Sequence, residues 1–253
     1  MASDELAGRG ILITRPEAQA GELAAAVEAH GGRPILFPVM DIEPRHPDQV
    51  AADENRLESP DISIFVSANA VRYGLPYAAD SVICAIGPAT AAAITESGYP
   101  KVIRAASGFD SEHLLAELQS RDVSGQTVRI IRGEGGREVL AETLRSRGAR
   151  VDYLEVYARR QPDYSAARIE QLQDRLTDGD IHIVTAMSVE SLCNLLELLN
   201  PAAINALGRV PLVTPSARVI KEAHNRLTDV QPVLAAGPQA GDMIRAMIAC
   251  CKP

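Results

Sequence analysis

Gly10-Ile11-Leu12-Ile13-Thr14-Arg15-Pro16-Glu17 opens a stretch of chain that occurs twice. Sliding the sequence by 117 residues lays Gly10–Met40 over Thr127–Tyr157 without a gap. Ile13, Arg15, Glu17, Leu23, Ala24, Gly31, Arg33 and Val39 then meet identical residues at 130, 132, 134, 140, 141, 148, 150 and 156. The first copy reads as strand, helix, strand. Gly10–Thr14 is short, apolar and β-branched, as a buried strand is. Pro16 suits the first turn of a helix whose apolar face carries Leu23, Ala26 and Val27, with Glu17 and Glu22 toward its positive end. Gly31-Gly32 stops it, and Pro34–Met40 is extended again.

The alternation continues outward from this unit. Strands are expected at Ile62–Val66, Val82–Ile86, Val128–Ile131, Val151–Tyr157, Ile181–Thr185, Val210–Val213 and Val230–Leu234, most followed by a helical segment. The repeat continues too: Phe65–Val71 lies over Ile183–Val189, and Ala85–Thr90 is similar to Leu212–Ala217. Such a pattern implies a mostly parallel sheet covered on both faces, in a duplicated α/β chain. A length of 253 residues accommodates two such domains. No long linker separates the halves; the Pro-bearing segments Glu43–Pro60 and Arg159–Arg168 are the boundary candidates.

Composition narrows the function. Apolar residues make up 46% of the chain and charged residues 23%, as in globular proteins. Lys plus Arg (25) against Asp plus Glu (33) gives a net charge of −8, with no Trp and only three Phe and six Tyr. That is neither the basic footprint nor the stacking platform of a nucleic-acid binder. No apolar run approaches the roughly 20 residues of a membrane span. The start, Met1 to Glu5, has acids where a signal peptide has bases, so a soluble cytoplasmic protein is expected. Cys84, Cys193, Cys250 and Cys251 form no C-x-x-C pair, and His30, His46, His113, His182 and His224 have no ligand spacing; no metal is expected.

In open parallel sheets, ligands bind beyond the carboxyl ends of strands, where helix N-termini present free N–H groups. Those ends read Thr14-Arg15-Pro16, Ser67-Ala68-Asn69, Gly87-Pro88-Ala89-Thr90, Arg132–Arg137, Thr185–Ser188 and Thr214-Pro215-Ser216. Small and hydroxylated residues there suit an anionic ligand, although each Ser or Thr alone is also explained as a helix cap. Gly133-Glu134-Gly135-Gly136 is neither G-x-G-x-x-G nor a phosphate loop, which argues against a nucleotide. Arg15 and Arg132, equivalent in the repeat, could each hold a carboxylate bidentately or stand solvated at a helix start. Tyr157 ends a strand, where a core tyrosine would also fit.

With these residues in place the chain resembles the uroporphyrinogen-III synthase family. The similarity runs through Ile11–Glu17, Phe37–Pro44, Ile64–Val71, Ile86–Ala91 and Arg132–Glu138 to Val156-Tyr157, in order and over nearly the whole chain. Val66 and Ala68 stand where Thr and Pro are common, and Thr214 and Ala217 replace Gly and Thr of a second Gly-Pro-x-Thr. The resemblance implies two similar doubly wound parallel-sheet domains of flavodoxin/Rossmann-like type, joined by a two-strand linker, with the active site in the cleft between them. Residues 1–38 and 160–253 would form domain 1, and 39–159 domain 2, with linker strands at about 39–44 and 154–160. It implies cyclisation of hydroxymethylbilane, a linear tetrapyrrole, to uroporphyrinogen III with loss of water and inversion of ring D, without a cofactor.

By the same resemblance Tyr157 is the residue expected to assist departure of the hydroxyl. Thr14, Arg15, Ser67, Asn69, Gly87 and Thr90 are expected to bind substrate. So are Arg132, Gly133 and Arg137, and in the other half Thr185, Ser188, Thr214 and Ser216. A monomer is expected, in transient contact with the bilane-producing enzyme, with no nucleic-acid or membrane partner. The alternative is a non-enzymatic two-domain binding module for a small acidic ligand; a transferase using a nucleotide donor fits less well for want of a phosphate motif.

Overall fold

The computed structural model describes residues 4–78, 80–105 and 111–251; the Met1–Ser3 start lies outside them. In chain order the first elements are β1 (Gly10–Ile13), α1 (Glu17–Ala29), β2 (Arg33–Leu36), β3 (Asp41–Pro44), α2 (Pro47–Glu54), β4 (Ile62–Phe65) and α3 (Ala68–Gly74). There follow β5 (Val82–Ala85), α4 (Pro88–Glu96), β6 (Ile103–Arg104), α5 (Ser111–Glu117), β7 (Thr127–Gly133), α6 (Val139–Ser146) and β8 (Arg150–Arg160). The last are α7 (Ala166–Thr177), β9 (Ile183–Thr185), α8 (Val189–Glu197), α9 (Pro201–Gly208), β10 (Leu212–Thr214), α10 (Ala217–Arg226), β11 (Pro232–Leu234) and α11 (Ala240–Ala249).

Two compact units divide the chain: Met1–Asp41 with Arg160–Pro253, and Ile42–Arg159. In the first, the strand order is β11-β10-β9-β1-β2 and every pairing is parallel. Read from β2, this is the 2-1-3-4-5 order of flavodoxin-like sheets. In the second, the order is β3-β8-β7-β4-β5-β6. The repeat makes β7 and β8 the counterparts of β1 and β2, and β4 and β5 those of β9 and β10. The second sheet is therefore the same arrangement with its chain order permuted, plus β3 beside β8.

Alternation along each strand sends side chains to two cores. In the first unit Leu12, Val184 and Leu212 face α7 to α10, while Ile11, Ile13, Ile183 and Val213 face α1 and α11. In the second, Ile62, Ile64, Val128 and Ile130 face α5 and α6, and Phe65 and Ile131 face α2, α3 and α4. Both sheets are covered on both faces, as uninterrupted apolar strands require.

The two copies of the repeat differ where their loops differ. Gly31 and Gly148 both take positive φ, +79° and +87°, and end α1 and α6 at equivalent points. The helix starts do not coincide: α1 begins at Glu17, whereas Gly135 and Gly136 take φ of +66° and +125° and delay α6 to Val139. Pro34–Met40 is strand only to Leu36, and Pro34 is tolerated because β2 is an edge. Val151–Tyr157 and the expected linker strand 154–160 are one strand of 11 residues, β8. β6, two residues long, carries no periodicity a sequence could show.

Candidate active site

Parallel pairing of β7 with β4 and of β4 with β5 brings Gly133, Ser67 and Gly87 to one edge of the second sheet. A register shift at Arg132/Gly133 sets Gly133 opposite Tyr157 of β8. The Tyr157 ring is only 4% exposed and packs in the core under α3 and α4. It lies on Gly133 so closely that a Cβ there would stand 2.5 Å from the ring. The Tyr157 and Ser67 hydroxyls share a hydrogen bond of 3.1 Å, and Ser67 Oγ also accepts the Ala70 N–H at 2.9 Å as the cap of α3. The Tyr73 ring is 6.3 Å from that of Tyr157. Residues far apart in the sequence thus meet: Tyr157, Ser67 and Gly133 form one cluster, with Gly87 and Thr90 at the next strand end. Gly87 caps α4 without a side-chain bond and Thr90 is buried in its first turn, while Asn69 is half-buried in the first turn of α3.

The arginines expected beside them face elsewhere. Arg132 stacks 3.6 Å from the centre of the Tyr153 ring and pairs with Glu138 at 3.1 Å and Glu155 at 3.4 Å, on the α6 side of the sheet. Glu155 Oε1 also accepts the Gly135 N–H at 3.1 Å, tying the Gly-rich loop down. Hydrogen bonds from Tyr153 and Arg132 hold the Glu138 carboxyl below its usual range, and burial with that same bond pushes the Tyr153 phenol up. Arg137 is exposed and pairs with Glu112 at 2.6 Å. The structure does not bring Arg132 or Arg137 to the Tyr157 cluster.

In the first unit, Thr14, Thr185 and Thr214 end β1, β9 and β10 with fully buried side chains. Thr14 donates to the Thr185 carbonyl at 2.7 Å, Thr185 donates to the Leu12 carbonyl at 3.0 Å, and Thr214 Oγ1 accepts the Ser216 N–H at 3.2 Å. The hydroxyls of Thr14 and Thr185 lock β1 to β9 and that of Thr214 holds its own turn, so these three offer a ligand little besides their backbone. Ser188 is engaged in a capping box with Ser191 at the start of α8; Ser216 caps α10 with no side-chain bond. Arg15 donates to the Pro238 carbonyl, and its buried Nε has no partner; burial lowers its pKa from the usual arginine value. No group of three or more His, Cys, Asp or Glu among the described residues could hold a metal ion.

Comparison with known proteins gives this geometry its context. The family model for uroporphyrinogen-III synthase HemD matches residues 21–245. The chain belongs to the uroporphyrinogen-III synthase family. The uroporphyrinogen-III synthase of Escherichia coli K12 is 28% identical over 200 residues, covering 75% of this chain and 79% of that protein. That of Proteus mirabilis is 31% identical over 163 residues, covering 61% and 82%. A mutant uroporphyrinogen III synthase from Thermus thermophilus has the same fold, with a TM-score of 0.62 at 19% identity over 94% of this chain and 97% of that one. The chain is an enzyme of tetrapyrrole biosynthesis whose family cyclises hydroxymethylbilane, and the non-enzymatic binding module gives way to that reading.

Arg168, at the start of α7, is a residue the sequence reading passed over. It lies at the end of the Pro-bearing segment taken as a boundary, and its partners Phe37 and Tyr164 are remote or unremarkable in the sequence.

Proposed function

We propose that this chain carries out its family's cyclisation with Tyr157 as the group that assists departure of water. The strand-end amides of each unit, together with Arg15, hold the substrate carboxylates. The observation that supports this most is the Tyr157 hydroxyl at the carboxyl edge of the sheet, pinned by Gly133 and bonded to Ser67. Ser67 Oγ accepts from Ala70 and has its own proton to give; when it gives this to the Tyr157 oxygen, the phenol proton is left for a substrate.

The chemistry asks for little more. The hydroxyl of the ring A hydroxymethyl group leaves as water, its C–O bond broken by push from the pyrrole nitrogen and its oxygen protonated with help from Tyr157, while the methylene carbon stays on the ring. The azafulvene cation so formed is attacked by the substituted carbon of ring D. The resulting spiro-pyrrolenine fragments and recloses with ring D reversed, and loss of a proton restores the macrocycle. Free bilane closes unaided without inversion, so the enzyme must fold the chain and favour the cationic steps faster than that. This haste also argues for taking bilane directly from the enzyme releasing it, and the proposed form of the chain is a monomer. The four cysteines are unpaired thiols, which fits a cytoplasmic location.

An assay that generates bilane in situ and separates product isomers tests the reading. Type III product above the spontaneous background is expected; type I alone would refute it.

A further inference from the structure

Arg168 places its guanidinium over two rings, 4.6 Å from the centre of Tyr164 and 5.7 Å from that of Phe37. Those rings touch, with centroids 4.4 Å apart, and the Tyr164 hydroxyl donates to the Pro38 carbonyl at 2.7 Å. Attraction to the ring faces holds the guanidinium in place while its N–H groups remain for a ligand. Arg168 has no ion-pair partner among the described residues. Its neighbours do: Asp180 is shared by Arg33 and by Arg175, the latter at 2.7 Å.

Beside Arg168 a groove of about 510 Å³ runs along the open edge of β2, with Ile35, Phe37 and Leu172 lining it and Leu36 43% exposed at its side. That volume is within the range of about 300–1,000 Å³ typical of small-molecule sites. A second hollow of about 190 Å³ shares Leu36 and Arg168 and adds Glu17 and Asp41. Within one unit there is thus a groove with the exposed Leu36 on an otherwise buried apolar wall, a cation with no ion pair among the described residues, and two carboxylates in the hollow that this cation also lines. A phosphate or a fatty acid would use only part of this arrangement. A flat ring with anionic arms and an N–H donor would use all of it.

We infer that this groove binds a carboxylated pyrrole. The ring lies on Leu36 beside the Arg168–Tyr164 pair, one carboxylate arm takes the Arg168 fork bidentately, and the ring N–H faces Glu17 or Asp41. The inference rests on the bilane reading above, since that substrate is a chain of four such rings, and it adds Arg168 as a group that selects and retains one of them.

The probe is a single pyrrole carrying an acetate and a propionate arm, titrated into the full chain and followed by calorimetry and backbone-amide NMR. Shifts confined to residues 35–38 and the first turn of α7 are expected. Loss of a bidentate charged contact in Arg168→Ala should weaken binding by about tenfold or more, with partial recovery in Arg168→Lys. Leu36→Asp, which sets a like charge beside the arms, should weaken it as well. All three changes are at exposed positions, and circular dichroism checks that the variants fold. With bilane as substrate, Arg168→Ala should raise KM several-fold with kcat within about twofold. Unchanged probe affinity in Arg168→Ala overturns the inference, and so does binding that shifts no groove amide. Wild-type self-association that Arg168→Ala abolishes, without probe binding, would overturn it in favour of a contact between copies. Because the probe needs no turnover, its failure to bind in a chain that still makes type III product removes the groove alone. Absence of type III product with the probe still bound removes the cyclisation reading and leaves the site.

Discussion

Tyr157→Phe removes one oxygen from a ring that Gly133 and the α3–α4 core hold in place. Packing is retained, and stability should fall by about 0.5–1.5 kcal/mol for the lost bond to Ser67. A positioned acid is worth typically about 10²–10⁴-fold, and here the pyrrole nitrogen already drives the hydroxyl out, so a rate loss at or below the low end is expected. The isomer ratio should change less, once spontaneous closure is subtracted. A rate equal to wild type would make Tyr157 a packing residue. Gly133→Ala is a sharper intervention. Its Cβ would meet ring atoms of Tyr157 at 2.5 and 2.6 Å, so the ring must move. Overpacking of this sort costs about 1–3 kcal/mol. Denaturant unfolding should show that loss, and turnover should fall at least as far as in Tyr157→Phe, because the hydroxyl is displaced as well as the fold weakened.

At the scale of elements, the repeat made the strand–helix–strand units legible, because β1, α1 and β2 carry their periodicity in unbroken runs bounded by Pro16 and Gly31. What the repeat concealed is the loop after β7. Its identities run through Glu134, yet the backbone there follows Gly135 and Gly136 instead, and Arg132 turns to Glu138 and Glu155 on the opposite face from Tyr157. Arg132 keeps the alternation of β7 and shares the face of Ile130, while the register shift just beyond it carries Tyr157 to the face of Leu154 and Val156; register shifts leave no mark on composition. The buried threonines were similarly ambiguous: a hydroxyl at a strand end looks the same in sequence whether it faces a ligand or, like Thr14, a neighbouring carbonyl. The meeting of Ser67 with Tyr157 depends on long-range strand order, and the sequence singled out both residues without placing them together. Between elements, Asp180 ties Arg33 of β2 to Arg175 of α7, and hydrogen bonds from these two arginines pull its carboxyl down to about 2. A carboxyl depressed in the folded chain stabilises it above the unfolded value of about 3.9, and that contribution is lost as pH falls through about 2. Asp180→Asn should therefore leave unfolding at neutral pH within about 1 kcal/mol of wild type, the pair being partly exposed, and should flatten the acid limb between about pH 4 and pH 2. Equal acid limbs in the two proteins would show that the pair is inert.

The whole molecule repeats one five-strand plan in two chain orders, and its charge is distributed against its own substrate. Twenty-five cations against 33 acids leave −8, while the bilane implied by the family carries eight carboxylates. After β7 of the second unit two cations are already paired, Arg132 with Glu138 and Glu155, and Arg137 with Glu112. In the first unit Arg15 contributes one partly buried charge. Approach of the substrate is therefore opposed at long range, and in the proposed function holding it falls to amides and a few local guanidiniums at short range. The same negative field favours the azafulvene cation once water has left, so the charge that slows encounter assists the chemical step. These two effects separate under salt. The Debye length shrinks from about 30 Å at 10 mM to about 8 Å at physiological ionic strength, which screens the distant repulsion and touches buried contacts far less. We expect kcat/KM to rise several-fold over that interval while kcat stays level or falls slightly, measured as type III product at varied bilane and salt. A steep fall of kcat/KM with salt would show instead that the cations at the strand ends steer the substrate in, and that their pairing with Glu138, Glu155 and Glu112 gives way when bilane arrives.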